Sequence, residues 1–365
     1  MRTIFGVAVL GVVAGICQGA DKPLFETQVL YEGSDKRIPN VVVATDGSVL
    51  AFARVGRLLR RSEDGGKTFS LAQEVGSDAG GSAIVDTNTG DVMVVDSKKG
   101  HLWRSGDHGK TWKRAEIVVK PNPMGHGGAG NIPVLTACSE SGVTLQFGKH
   151  KGRLIMPGLI QPPMGDNGQE WWPYNYNTAI FSDDGGKTWQ TSAPVQSGTG
   201  EGTLAEISTG SIFYNSRSHM SVDHRRQIAW SHDGGAMWVD WQVTTDLFEV
   251  GEPFYFKYGT KPSYGCNAGM IRMPLEVTDG KDVLLFSAPD NPGGSRHRMS
   301  VFASFDQGKT WPVKRLVSEG MSAYSSLAAG SDGTIYLLFE GGEKKLYDRM
   351  ALARFNLAWV MEDQN

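Results

Sequence analysis

Cysteine is scarce in this chain, with three in 365 residues. Cys17 falls in an apolar N-terminal stretch, which leaves Cys138 and Cys266. One disulfide is conceivable, but no disulfide framework can carry the fold. The eight histidines are scattered, with no His-Glu-x-x-His or equivalent spacing, so no metal site and no cofactor are expected. No glycine-rich loop joins a strand to a helix, which removes the usual phosphate cradle. Charge of one sign is missing too: 36 Lys and Arg face 39 Asp and Glu. Such a balance gives no broad polyanion-binding surface, and nucleic acid is not an expected partner. The apolar run Ile4–Ile16 is too short to cross a bilayer, which takes about 20 residues. With Arg2 before it and Gly19-Ala20 after it, the run reads as a secretory signal over 1–20. The mature chain from residue 21 is then expected to be secreted or periplasmic, without a membrane span. Lipidation at Cys17 is poorly supported, because Ile16 stands where a small residue is required.

Glycine and short β-rich runs are abundant instead. Forty-seven glycines punctuate runs such as Asn40–Ala44, Ser48–Ala53, Ala83–Val85, Asp91–Val95, Arg153–Pro157, Ser211–Asn215, Asp282–Ser287 and Thr334–Phe339. No linker, low-complexity tract or long helical period interrupts them. One pattern, S-x-D-x-G-x-x-[WF], recurs five times. Its copies run over Ser62–Phe69, Ser105–Trp112, Ser182–Trp189, Ser231–Trp238 and Ser304–Trp311. Each copy has the parts of a tight turn between strands: an Asp to bond nearby amides, a Gly for the unusual dihedral, and an aromatic to pack beneath. Five copies in register mark a repeat protein built of small antiparallel sheets.

These copies resemble the Asp boxes of sialidase-type propellers. The resemblance implies an all-β, six-bladed β-propeller over residues 21–365, with blades near 37–73, 76–118, 130–195, 200–245, 263–318 and 322–360. The sixth blade has no box, and its outer strand is expected from residues 24–31, which would close the ring. Asp boxes specify architecture and not chemistry, so function has to come from other residues. Lys36-Arg37-Ile38-Pro39 resembles the sialidase Arg-Ile-Pro segment, whose arginine belongs to a cluster of three that grips the sugar carboxylate. Guanidinium forks suit that task because they bind carboxylates bidentately. Arg217, ending Ile212–Arg217, and Arg296, in Asn291–Arg298, are the implied second and third arginines, with Arg298 a rival for the last. Tyr324, in Met321-Ser322-Ala323-Tyr324, resembles the family's nucleophile. Glu201 resembles its carboxylate partner and aligns better than Glu206. A neutral phenol activated by Glu avoids the repulsion that a carboxylate nucleophile would meet from an anionic sugar.

Arg37, Glu201 and Tyr324 each precede an inner strand and so should share one rim, opposite the boxes. The pattern breaks in the first blade. The family carries its acid/base Asp in a loop after the second strand, but here Leu50–Ala53 runs through Arg54-Val55-Gly56-Arg57 straight into the next strand and its box. Asp78 and His126 are the candidate replacements for the acid, and Arg57 (or Arg54) for an auxiliary arginine. An ordinary turn Asp and loop His are the plainer readings. The long segment Gln161–Asn177, with Trp171, Trp172, Tyr174 and Tyr176, is either a sugar-facing wall or packing over a blade. The implied activity is that of a secreted, retaining exo-α-sialidase acting as a monomer on sialylated glycans. A propeller that binds sialic acid without cleaving it, or a glycosidase for another 2-keto sugar acid, is the alternative.

Overall fold

The computed structural model describes residues 22–122, 134–137, 139–161, 175–220, 223–251, 254–255 and 262–362. The expected export signal, His126, Cys138, Trp171, Trp172 and Tyr174 lie outside these residues. Among the described residues the chain is almost entirely β, arranged as small sheets in a propeller-like ring. The first sheet runs Asn40–Val43, Val49–Ala53, Leu58–Ser62 and Gln73–Glu74, each strand antiparallel to the last. Ser82–Val85 opens a second sheet of the same plan, and Thr199–Glu206 opens another. Between these two lies a six-stranded sheet built around Leu154–Ile160 and Tyr176–Ser182. The last sheet has seven strands and is stitched by the 17-residue strand Val313–Ala329. The first part of that strand pairs with His297–Ser304 and its second part with Ile335–Gly342.

Inner strands Asn40–Val43, Ser82–Val85, Val143–Thr144, Thr199–Glu206, Gly269–Arg272 and the end of Val313–Ala329 each pack against the next, and the last returns to the first. Apolar clusters fill the seams. Leu50, Phe52 and Leu59, for example, meet Ala83, Val92 and Val94 between the first two sheets. Phe25–Glu32 pairs antiparallel with Arg349–Phe355, so the N-terminal strand closes the C-terminal sheet as its sequence position suggested. Pairing both chain ends into one sheet removes an exposed edge. No helix among the described residues is long and apolar enough to cross a membrane.

The five boxes form as their residues dictate. In the first, Asp64 Oδ1 accepts from the Thr68 amide at 2.9 Å and Ser62 Oγ accepts from the Gly66 amide at 2.9 Å. Gly66 sits at φ 79°, where a side chain would be strained. Trp189 of the third box is fully buried and donates its indole N–H to Gly186 O at 3.0 Å. Because each box follows the third strand of its sheet, it lies at the end opposite the start of the inner strand.

A cavity of about 300 Å³ runs along the ring axis, lined by Val41, Val85, Leu204, Met270 and Leu327, with Glu140 among them. Glu140 is buried; Oε1 accepts from Ser326 Oγ at 2.6 Å, while Oε2 finds no hydrogen-bond partner among the described residues. Burial, opposed in part by the Ser326 bond, pushes its carboxyl up to about 8. A folded-state pKa above the unfolded value means that the stability contribution is complete below about pH 4.5. It is lost as pH rises toward 8. Glu140→Gln should therefore leave melting near pH 5 little changed and raise the Tm by roughly 5 °C at pH 8.5, a difference on the order of a few kcal/mol. A Tm difference that does not grow with pH would count against a proton held on Glu140.

Candidate active site

The end of the ring away from the boxes gathers arginine, tyrosine and glutamate. Tyr324 lies in Val313–Ala329 where pairing slips between Ser322 and Ser325, so that an extra residue bulges from the strand. Glu201 lies in Thr199–Glu206 at the same kind of slip, between Thr199 and Gly202. A bulge interrupts the alternation of side chains and re-aims one of them, which is why such irregularities collect beside functional sites. The two aimed groups meet: Tyr324 O–H donates to Glu201 Oε1 at 2.5 Å.

Arg217 joins them from the end of Ile212–Ser218. Its Nη1 donates to Glu201 Oε2 at 2.7 Å and to the Tyr324 hydroxyl at 3.1 Å, and its Nε donates to Tyr264 O at 2.7 Å. Burial alone would raise the Glu201 carboxyl, but the Arg217 charge and the Tyr324 hydrogen bond reverse this and hold it at about 2. The carboxylate is thus a fixed anion, pressed against a phenol. Beneath Arg217, the buried pair Arg226–Glu249 (3.0 Å) fixes the backbone: Glu249 Oε1 accepts from the Ser218 amide at 3.0 Å.

Arg37 and Arg296 complete the cluster. Their guanidinium carbons lie 5.4 and 5.5 Å from the Tyr324 ring centroid. Glu340, reached at the end of the strand Ile335–Gly342, receives the fork of Arg37 at 3.0 and 3.1 Å and the Ile38 amide at 2.9 Å. Its Oε2 also accepts from the Tyr324 amide at 3.3 Å. One carboxylate therefore ties the first arginine to the backbone of the tyrosine. Ile38 is held at φ 67°, costly for a β-branched residue, with its own amide and the Arg37 fork both bonded to this carboxylate. Tyr347 lies under Arg37, 3.7 Å from guanidinium carbon to ring centroid, and its hydroxyl accepts from Arg296 Nη1 at 2.8 Å. Cys266 packs beside Tyr324, and burial, opposed by Arg296 and Arg217, raises its thiol to about 11. It is an inert floor and not a nucleophile.

The structure brings Arg37, Arg217, Arg296, Glu201 and Tyr324 together. Of the paired alternatives, Arg298 turns outward to bond Glu319. Glu206 sits at the far end of its strand, where its carboxylate accepts from the Gln146 and Phe147 amides. Asp78 is not brought to the cluster. Its carboxylate accepts from Trp103 Nε1 and from Arg114 Nε, each at 2.9 Å. Those bonds outweigh partial burial and hold the carboxyl below its usual range. Arg57 pairs with Glu74 at 3.3 Å and contacts none of the cluster. Tyr176 is buried in the seam beside Ile160 and Trp189, so this end of the aromatic segment is packing.

The turn Arg54–Arg57 is tightly built. Arg54, Val55 and Gly56 all have positive φ. The Arg54 amide donates to Arg37 O at 2.7 Å, and Val55 O accepts from the Gly81 amide at 2.9 Å. A side chain on Gly56 would strike Gly81 O. Sequence reasoning missed Glu340, Tyr347, His219 and the Arg226–Glu249 pair. A lone Glu closing the apolar run Ile335–Phe339 was the legible signal for Glu340; the others had none.

Fold and site together define a β-propeller-like protein with an arginine cluster around a tyrosine–glutamate pair. A family model described as a BNR repeat-like domain matches residues 83–337, and the chain belongs to that family. Its relatives include a sialidase of Micromonospora viridifaciens, 29% identical over 98% of this chain and 58% of the relative. The chain thus spans little more than half of that protein's length. Among solved structures, the Hadza microbial sialidase Hz136 superposes with a TM-score of 0.69 at 24% identity, covering 88% of this chain and 66% of that one. The intramolecular trans-sialidase from Ruminococcus gnavus, in complex with oseltamivir carboxylate, gives 0.66 at 16% identity over 93% and 99%. At these identities the structural likeness establishes the shared fold.

Proposed function

We propose that this protein is a retaining exo-α-sialidase on a six-bladed propeller, with the seven-stranded sheet counted as two blades divided within Val313–Ala329. The 2.5 Å bond from Tyr324 to an ionised, buried Glu201 carries the reading. Arg37, Arg217 and Arg296 clamp the carboxylate of a terminal sialic acid, whose negative charge matches a pocket with three guanidiniums. Glu201 takes the phenolic proton as the Tyr324 oxygen attacks the anomeric carbon and the bond to the aglycone breaks. Water then attacks the anomeric carbon of the glycosyl–tyrosine and breaks its bond to Tyr324, losing its proton to the group that had protonated the aglycone, while Glu201 returns the phenolic proton to Tyr324. Two inversions at one carbon give net retention.

The departing aglycone needs a proton, and general acid assistance is worth roughly 10²–10⁴-fold. Asp78 already serves Trp103 and Arg114 with a depressed pKa. Of the two candidates this leaves His126, an imidazole that can donate a proton. The compact Arg54–Arg57 turn, which carries no carboxylate, favours one other reading: a propeller that binds sialic acid without cleaving it. Proton NMR of sialyl-lactose with the wild-type protein separates them. The α-anomer of free sialic acid should appear first. Tight binding of a sialic acid analogue with no release would replace hydrolysis by binding, and release of a different 2-keto sugar acid alone would redirect the substrate. His126→Ala should slow release while Asp78→Ala leaves it within about threefold.

A further inference from the structure

His219 follows the strand Ile212–Ser218 and is fixed on both sides of its backbone: its amide donates to Gly198 O at 2.9 Å and its carbonyl accepts from Tyr264 N at 3.0 Å. Its side chain is 2% exposed, and Nε2 lies 3.9 Å from Glu201 Oε2. Across from it is Gly200, inside the bulge that aims Glu201. A β-carbon on Gly200 would fall 1.6 Å from His219 Nε2, inside the ring's own volume. Gly200 has no positive φ to explain it. Its missing side chain is the notch that the imidazole occupies. Burial, reinforced by the Arg217 charge and only partly offset by Glu201, drives the imidazole down to about 3, so the ring is neutral.

We propose that His219 is a positioning residue for the reaction, acting through Glu201; the proposal rests on the Tyr324–Glu201 reading above. An extra residue in a strand leaves the bulged segment without the ladder bonds that would hold it. Asn177 Nδ2 makes good part of that loss by donating to Gly200 O, and His219 supplies a further restraint. The ring fills the Gly200 notch, backs the bulge and excludes water from the carboxylate, so Glu201 keeps the orientation that puts Oε1 on Tyr324 and Oε2 on Arg217. The notch and the ring act as one device, and each is useless without the other.

The test is a double-mutant cycle on the full chain, read by kcat and KM for sialyl-lactose and by Tm. His219→Ala should lower kcat by about tenfold or more, since misplacement of a reacting group by an ångström costs up to about 10²-fold, with KM within twofold. Gly200→Ala should do the same by expelling the ring. Combining the two should be no worse than His219→Ala alone, because the clash vanishes with the ring. His219→Gln, which keeps a planar polar end, should recover a third or more of wild-type kcat. The proposal is overturned if His219→Ala keeps kcat within twofold, if the two single losses multiply in the double variant, or if kcat falls only in proportion to Tm. Should His219→Ala not accumulate as folded protein, Gly200→Ala and His219→Gln carry the same two outcomes. A wild type that releases no sialic acid overturns the parent reading and this one together, whereas an active wild type with indifferent variants overturns this one alone.

Discussion

Tyr324→Phe should abolish turnover of sialyl-lactose, with kcat reduced by roughly 10³-fold or more, while a sialic acid analogue still binds within a few-fold of wild type. The substitution removes one oxygen from a phenol that lies 2.5 Å from Glu201 Oε1 and 3.1 Å from Arg217 Nη1. The ring stays, and with it the face near which Arg37 and Arg296 stand at 5.4 and 5.5 Å. Carboxylate recognition should therefore survive. Loss of a covalent nucleophile falls on the chemical step, and residual rates then reflect only the remaining electrostatics and binding. Folding should change little. The Glu201–Arg217 bond persists without the hydroxyl, so the cost is about 1 kcal/mol for one lost hydrogen bond. Proton NMR for turnover and titration calorimetry for binding read the two halves. Turnover within tenfold of wild type would remove Tyr324 from the chemistry. Equal loss of binding and turnover would make it a structural residue.

How much of this could be read from sequence depends on the kind of interaction. The boxes were legible because their chemistry is local: Ser62, Asp64 and Gly66 satisfy one another within a few residues. The closing N-terminal strand was legible because a ring needs a last partner. Arg37, Glu201 and Tyr324 could be placed on one rim from strand direction alone. Partner choice could not. Arg37 meets Glu340 across 303 positions, and no periodicity encodes that distance. Bulges were equally hidden. Glu201 and Tyr324 were expected just before their inner strands, yet both lie within strands, and the slips at Gly200-Glu201 and Ala323-Tyr324 decide where the two side chains point. The first-blade turn shows the reverse case. Its brevity was plain in Ala53-Arg54-Val55-Gly56-Arg57, but its rigidity follows from the bonds to Arg37 and Gly81. A turn so tied is held by backbone bonds to two neighbouring segments, which no local pattern announces.

Arg217→Ala tests the electrostatics of that site most severely. Arg217 is 3% exposed and is the largest of the influences that oppose the burial of Glu201. Removing it leaves a buried carboxylate without its ion-pair partner, a change that costs about 3–5 kcal/mol. The pH dependence gives the cause away. In the wild type Glu201 titrates at about 2, below its unfolded value, so its contribution is present at neutral pH and is lost as pH falls through about 4.5 toward 2. Without Arg217, burial is opposed only by His219 and the Tyr324 hydrogen bond, so the carboxyl moves up from about 2. The stability that its ionisation contributes at neutral pH shrinks accordingly. The Tm gap between wild type and variant should accordingly be widest near pH 7 and narrow toward pH 4. Turnover at neutral pH should fall by about 10³-fold or more, because substrate clamp and orientation of the base go together. Arg217→Lys restores a positive charge but not a fork that reaches Glu201, Tyr324 and Tyr264 O together. It should recover most of the Tm while kcat/KM stays down by about 10²-fold. A lysine variant with wild-type kcat/KM would show that charge alone suffices. A Tm gap that does not change with pH would show that Arg217 supports the fold by packing, and Glu201 would then owe its ionisation to other groups.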